Sequence, residues 1–75
     1  MKQETIAIQT PFIRLDQLLK LSGFCDTGGQ AKEVVLEGQA KVNGEICLQR
    51  GKKIYPGDRV LLLDRLELEV IAGAD

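Results

Sequence analysis

Thr27-Gly28-Gly29-Gln30-Ala31-Lys32-Glu33-Val34-Val35-Leu36-Glu37-Gly38, running directly into Gln39-Ala40-Lys41-Val42-Asn43-Gly44-Glu45, is the stretch that decides the fold. In its first half Ala31, Val34 and Val35 are spaced for one face of a helix. Thr27 and Gln30 stand as a capping box: the Thr27 hydroxyl accepts from the Gln30 amide, and the Gln30 side chain returns to the Thr27 amide. Gly38 supplies the stop. A helix of about ten residues is marginal in water, so its apolar stripe must be packed against something. Past Gly38 the apolar period falls from 3.6 to 2. There Val42-Asn43-Gly44-Glu45 predicts a hairpin, because a type I′ turn needs positive φ at both central residues and Asn-Gly tolerates that best.

Toward the N-terminus, Leu15, Leu18, Leu19 and Ser22 recur at helical spacing, which predicts a short helix over 14–22 ended by Gly23 in the left-handed region. Thr10-Pro11 is an alternative start for it. Thr5-Ile6-Ala7-Ile8-Gln9 alternates as an edge strand would. Toward the C-terminus, Pro56-Gly57-Asp58 predicts a type II turn. Strands over 59–63 and 66–71 follow, on either side of Asp64-Arg65. In the last of them Leu66, Leu68 and Val70 share one face while Glu67 and Glu69 share the other. The order of strand, two helices and then antiparallel strands predicts an α+β domain: two short helices packed on a small, mostly antiparallel sheet.

Seventy-five residues, 44% hydrophobic and 28% charged, fit one domain covering 1–75. A chain of this size buries only roughly 60% of its surface, which leaves little room for an enclosed substrate pocket. With no His among its residues the chain lacks the commonest general base and metal ligand. No enzymatic activity, small-molecule substrate, cofactor or metal is expected. Cys25 and Cys47 lie far apart with no C-x-x-C, so free thiols in a reducing compartment are expected ahead of a disulfide between them. There is no apolar run of the length a membrane span needs, and the first residues do not resemble a signal peptide, so the expected location is the cytoplasm, with no membrane partner.

The net charge of -1 argues against a strongly basic nucleic-acid binder until it is divided along the chain. Residues 1–37 carry four basic and five acidic groups, residues 38–59 five and two, and residues 60–75 one and four. Arg50, Lys52 and Lys53 cluster about Gly51, with Lys41 on the hairpin, so the middle segment is a candidate basic patch; a solvated loop is the competing reading. Gly28 and Gly29 would let a phosphate approach the amides that open the second helix, with Lys32 in reach. The competing reading is that the glycines only let the cap pack and Lys32 is solvated. Of the three aromatics, Phe12 and Phe24 are assigned to the core, leaving Tyr55, so base stacking is not the expected mode. A basic, aromatic-poor surface suits the phosphates and 2′-hydroxyls of folded RNA.

Arg14-Leu15-Asp16-Gln17-Leu18-Leu19, Gly23-Phe24, Thr27-Gly28-Gly29-Gln30-Ala31-Lys32, Gly38 with Val42-Asn43-Gly44, and Gly57-Asp58 with Val60 together resemble the alpha-L motif. This is the RNA-binding domain typified by ribosomal protein S-four. The resemblance covers residues 14–60, and the Thr27–Lys32 and Arg50–Lys53 segments are most similar to small stand-alone bacterial members. It implies one RNA-facing surface built from the two helices and the hairpin. Carried over by position, it points to Arg14, Gln30, Lys32, Lys41 and Asn43, and it supports Arg50, Lys52 and Lys53 as backbone contacts. Many members have Ser-Arg where this chain has Gly28-Gly29, which moves weight from an arginine contact to the amides. The implied function is non-catalytic binding of structured RNA, with ribosomal RNA or a ribosomal particle as candidate partner.

Other functions stay open at this level. Two short helices also occur in helix-turn-helix DNA binders, although Glu33 and Glu37 on the second helix would repel phosphate. Ubiquitin-like sulfur carriers resemble this chain in the Val-Asn-Gly and Gly-Asp-x-Val pieces but end in Gly-Gly, where this chain has Ala72-Gly73-Ala74-Asp75. A protein partner on the acidic face of Glu67 and Glu69 is compatible with RNA binding elsewhere.

Overall fold

A computed structural model describes residues 2–73. Strand β1 (Lys2–Ile8) is followed by the short β2 (Ile13–Arg14), helix α1 (Leu15–Leu21) and helix α2 (Gly28–Leu36). Strands β3 (Ala40–Val42), β4 (Glu45–Ile46), β5 (Lys53–Ile54), β6 (Arg59–Leu62) and β7 (Leu66–Ala72) complete the described chain. A five-stranded sheet runs in the order β1-β7-β6-β3-β4, and β2 pairs with β5 in a separate two-stranded ladder. The fold is α+β, as the residue pattern predicts.

The helical stripes go where their spacing sends them. Leu15, Leu18 and Leu19 of α1 and Ala31 and Val35 of α2 are buried, with Val34 packed at the margin. They meet Ala40, Val42, Val60, Leu62, Leu68 and Val70, the alternate residues of β3, β6 and β7. Registers Val42↔Val60↔Leu68 and Ala40↔Leu62↔Leu66 line these up in rows across three strands. The residues between them, among them Lys41, Leu61, Glu67 and Glu69, therefore point to the other face of the sheet.

Strand β1 lies at the edge, as its alternation suggests, but it pairs with β7 in parallel, from Lys2↔Leu66 to Ile8↔Ala72. It begins earlier than the apolar alternation predicts, because β7 offers backbone partners to residues whose side chains carry no apolar signal. The remaining pairs in the large sheet are antiparallel. A parallel pair needs a long crossover, and both helices and strands β2 to β6 fill it.

Turns follow the sequence with two corrections. Asn43 and Gly44 have φ of 51° and 89°, as a type I′ turn requires, and Gly57 at 98° serves the type II turn that Asp58 closes through its amide to the Tyr55 carbonyl. Thr10-Pro11 is a turn and not a helix start: the Thr10 hydroxyl donates to the Phe12 carbonyl at 2.7 Å, and α1 begins at Leu15. The capping box at α2 is shifted on one side. Thr27 Oγ1 accepts from the Gln30 amide at 3.2 Å, but Gln30 Oε1 accepts from the Asp26 amide at 2.8 Å in place of the Thr27 amide. Reaching one residue further back ties the helix start to the α1–α2 joint.

Both cysteines are free thiols. Cys25 is buried in that joint, where desolvation pushes its thiol up from the ordinary range and the Asp26 charge adds to the effect. The folded chain thus keeps a proton that the unfolded chain releases, so stability is full below the ordinary thiol range and falls as pH rises through it.

Two outcomes follow. Leu63 and Asp64 occupy the centre of the β6–β7 turn with φ of 54° and 52°, a region costly for a side chain like leucine's. Leu63 lies at the surface, 39% exposed, and asparagine tolerates this φ, so Leu63→Asn should raise the urea midpoint by the equivalent of about 0.5–1 kcal/mol at unchanged m-value. In native protein at pH 8, iodoacetamide should alkylate Cys47 and spare Cys25 until denaturant is added, as read by mass spectrometry; equal labelling would contradict the packing of the joint.

Candidate nucleic-acid interface

Helix α1 starts without a side-chain cap: Arg14 holds the N-cap position with extended backbone and offers its amides no acceptor. The segment after β4 supplies what is missing. The Leu15 amide donates to the Lys52 carbonyl and the Asp16 amide to the Arg50 carbonyl, each at 2.9 Å, while Asp16 Oδ1 takes the Gln17 amide at 2.8 Å. Residues 49–52 form a turn closed by the Lys52 amide on the Gln49 carbonyl at 3.1 Å. Its carbonyls face the helix, and Arg50 and Lys52 are exposed.

The β2–β5 ladder adds two more cations. Its register is Ile13↔Ile54 and Arg14↔Lys53, so Ile54 is buried in the core while Arg14 and Lys53 stand opposite one another at the surface. Like charges at directly opposed positions are unfavourable. Asp16 offsets one of them, with Oδ2 at 3.3 Å from Arg14 Nη2. The Arg14 guanidinium also lies against Gly51: a Cβ placed there would be 3.8 Å from Nη2. Arg14, Arg50, Lys52 and Lys53 thus come together on one short stretch of surface. The ladder was invisible in the sequence because two-residue strands have no period; the only hint was an apolar Ile54 inside a charged run.

Other candidates lie elsewhere. Lys41 is on the sheet face opposite the helices, with Nζ at 3.2 Å from Asp64 Oδ1. Asn43 is tied down internally: its Nδ2 donates to Asp58 Oδ1 at 3.1 Å and its Oδ1 accepts from the Arg59 amide at 3.0 Å. Asp58 Oδ2 in turn accepts from the Tyr55 amide at 2.8 Å. The Asn-Gly turn and the Pro-Gly-Asp turn are therefore latched together, and Asn43 sets the shape of the hairpin end. Gly28, Gly29, Gln30 and Lys32 are exposed at the opening of α2, where the amides of Gly28 and Gly29 have no acceptor among the described residues. No hydrogen bond or ion pair among the described residues joins them to the basic loop.

Two charge readings change in three dimensions. Arg59 pairs with Glu69 at 3.4 Å and Glu67 at 3.9 Å, and Glu67 also accepts from the Gln3 amide group at 3.0 Å. The positive and negative segments of the sequence thus partly neutralise each other across β6–β7, and the acidic face is less acidic than its composition. Arg50, Lys52 and Lys53 have no carboxylate within 4 Å among the described residues.

Phe12 is a further correction. Phe24 does pack on the core, but Phe12 lies only half-buried against Tyr55, with ring centroids 5.8 Å apart, and Lys53 Nζ sits 4.9 Å from its centroid. The sequence assigned Phe12 to the core on hydrophobicity alone. Its neighbour Pro11 and the short β2 keep it at the rim, where it carries an aromatic–cation cluster beside the basic loop.

Among the described residues no group of carboxylates and thiols could hold a metal ion, and no helix is long and apolar enough to cross a membrane.

The S4 domain family matches residues 6–71. A probable ribosome maturation protein, RlbA, of Bacillus subtilis is 44% identical over 55 residues, 73% of this chain and 78% of its own length. The putative RNA-binding protein YbcJ of Escherichia coli is 42% identical over 50 residues, 67% of this chain and 71% of its own. The solution structure of YbcJ, described as revealing an alpha-L motif involved in RNA binding, superposes with a TM-score of 0.67 at 33% identity, covering 96% of this chain and 89% of that one. A pseudouridylate synthase also contains the fold, with a TM-score of 0.64 at 27% identity; the match covers 69% of this chain but only 22% of the enzyme.

The Asn43–Asp58 latch is open to direct measurement. Asp58→Ala removes the acceptor of both the Asn43 side chain and the Tyr55 amide, and it should cost about 1–2 kcal/mol in equilibrium unfolding. Asp64→Asn, which removes the charge of an exposed ion pair and keeps a side chain tolerated at φ 52°, should cost less than about 1 kcal/mol in the same assay.

Proposed function

The chain belongs to the S4 domain family, and from that membership we propose that it is a non-catalytic binder of structured RNA, with ribosomal RNA or a ribosomal particle as its target. The observation that carries the proposal is the opposed pair Arg14↔Lys53, flanked by Arg50 and Lys52 on a turn pinned to α1. Asp16 offsets only Arg14, so Lys53, Arg50 and Lys52 stand beside it without a carboxylate within 4 Å among the described residues, and such a cluster gains when an anion arrives. Four cations on one rigid stretch suit a row of phosphates, and the scarcity of base-reading side chains there suits recognition by RNA shape. Gly28, Gly29, Gln30 and Lys32 at the start of α2 would form a second contact region, with the free amides taking a phosphate oxygen. Asn43 contributes by shaping the hairpin, and Lys41 from the far side of the sheet would contribute least.

The names of the relatives support the same reading: one is a probable ribosome maturation protein and another a putative RNA-binding protein. The synthase match is confined to a small fraction of that enzyme, consistent with the domain serving there as one part of a larger protein.

Gel-shift titrations across salt test the proposal with a hairpin taken from small-subunit ribosomal RNA. Four or five phosphate contacts give a log-log slope of roughly -3 to -4.5. Lys52→Ala/Lys53→Ala should lower affinity about tenfold or more and make the slope shallower by about 1 to 2. Unchanged affinity and slope in the double variant would overturn the basic-loop assignment, and a preference for duplex DNA in direct competition would overturn RNA as the ligand.

A further inference from the structure

A concave groove of about 570 Å³ lies between the β3–β4 hairpin and the basic loop, lined by Asn43, Glu45, Lys52, Lys53, Tyr55 and Asp58 among others. Its electrostatics are mixed. Lys52 and Lys53 are exposed, Asp58 has both oxygens occupied by Asn43 and the Tyr55 amide, and the exposed Glu45 side chain has no hydrogen bond or ion pair among the described residues. A polyanion laid along this groove would meet Glu45 and gain nothing there. A ligand with one anionic group and one uncharged, flat group fits the lining better: the anion at the lysines and the flat group on Tyr55, whose residue is 48% exposed.

Tyr55 is suited to that task. Phe12 supports its ring at 5.8 Å between centroids, Lys53 lies over Phe12, and the Tyr55 amide is held by Asp58, so the ring is braced by a neighbouring ring and by its own backbone. A braced aromatic gives up little freedom when a second ring stacks on it. We infer that the groove is a nucleobase subsite: an unpaired base, extruded from a bulge or loop of the bound RNA, stacks on Tyr55 while its own phosphate is held by Lys52 and Lys53. This rests on RNA as the ligand, and it adds a preference for helices interrupted by an unpaired nucleotide over continuous duplexes. The sequence concealed the subsite because Phe12 and Tyr55 are more than forty positions apart and meet only through the β2–β5 ladder.

Tyr55 is the only tyrosine in a chain without tryptophan, so intrinsic fluorescence reports on this ring alone. The experiment uses the full chain and two RNA hairpins of identical stem, one fully paired and one carrying a single bulged adenosine. Binding of the bulged hairpin should quench Tyr55 emission more than the paired one. Tyr55→Ala should lose on the order of tenfold in affinity for the bulged hairpin, the scale of one stacked base, with the paired hairpin and the salt slope nearly unchanged. Tyr55→Phe should retain the wild-type preference. Tyr55→Leu, which keeps an apolar contact for Phe12 but has no ring face, should behave as Tyr55→Ala, separating stacking from stability.

Equal loss on both hairpins, or no loss on the bulged one, overturns the subsite. If both hairpins bind equally and respond to Lys52→Ala/Lys53→Ala, the subsite alone fails and RNA binding stands. If neither binds, RNA binding fails and the subsite with it.

Discussion

Leu15 and Asp16 open a seven-residue helix with no side-chain cap before them, and their amides are satisfied by the carbonyls of Lys52 and Arg50. Most of the candidate RNA-binding surface depends on this exchange. A short helix with orphan amides would fray, and a glycine-containing turn with two cations would be mobile. Joined, each supplies what the other lacks. The turn presents its carbonyls inward to the partial positive charge of the helix start and its cationic side chains outward. The same closure brings Lys53-Ile54 alongside Ile13-Arg14, so the short ladder and the buried Ile54 follow from it.

Charge is sorted by the sheet. Along the chain the basic and acidic stretches are separate, but antiparallel pairing of β6 with β7 sets Arg59 beside Glu67 and Glu69, and Asp64 at the turn reaches Lys41. These exposed pairs contribute little stability individually. Their larger effect is on the surface field. They quiet the far face of the sheet and leave the basic loop as a cluster of cations without carboxylate partners among the described residues. An overall charge near zero is then compatible with a localised anion-binding surface, and unpaired acidic groups elsewhere limit indiscriminate attachment to polyanions.

Legibility in the sequence tracks the range of the interaction. Both helices were readable because Leu15-Leu18-Leu19 and Ala31-Val34-Val35 bury the faces their spacing defines. The Asn43-Gly44 and Gly57 turns were readable because positive φ restricts which residues can occupy them. The β6–β7 turn centres on Leu63 and Asp64, one position before the polar Asp64-Arg65 pair, because leucine carries no local signal for the positive φ that pairing of β6 with β7 imposes. The Gln30 partner is not legible locally, because a side chain of its length reaches the Asp26 amide as readily as the Thr27 amide. Phe12 was placed inside because hydrophobicity cannot distinguish a core residue from a ring at the rim.

The sequence by itself determined the α+β class, the two helices, the Asn43-Gly44 and Gly57 turns and the existence of a basic loop, together with a resemblance that its S4 domain family membership bears out. Each of these rests on spacing, turn chemistry or composition within a few residues. Only the tertiary structure decided that β1 joins β7 in parallel, that Arg14 stands opposite Lys53, that Lys41 and Arg59 are paired away, that Asn43 latches onto Asp58, and that Phe12 braces Tyr55 beside the lysines. Those outcomes depend on hydrogen bonds and contacts between segments distant in the chain. Which of several chemically similar partners a residue meets is set by the packing of the whole core, to which no local pattern has access.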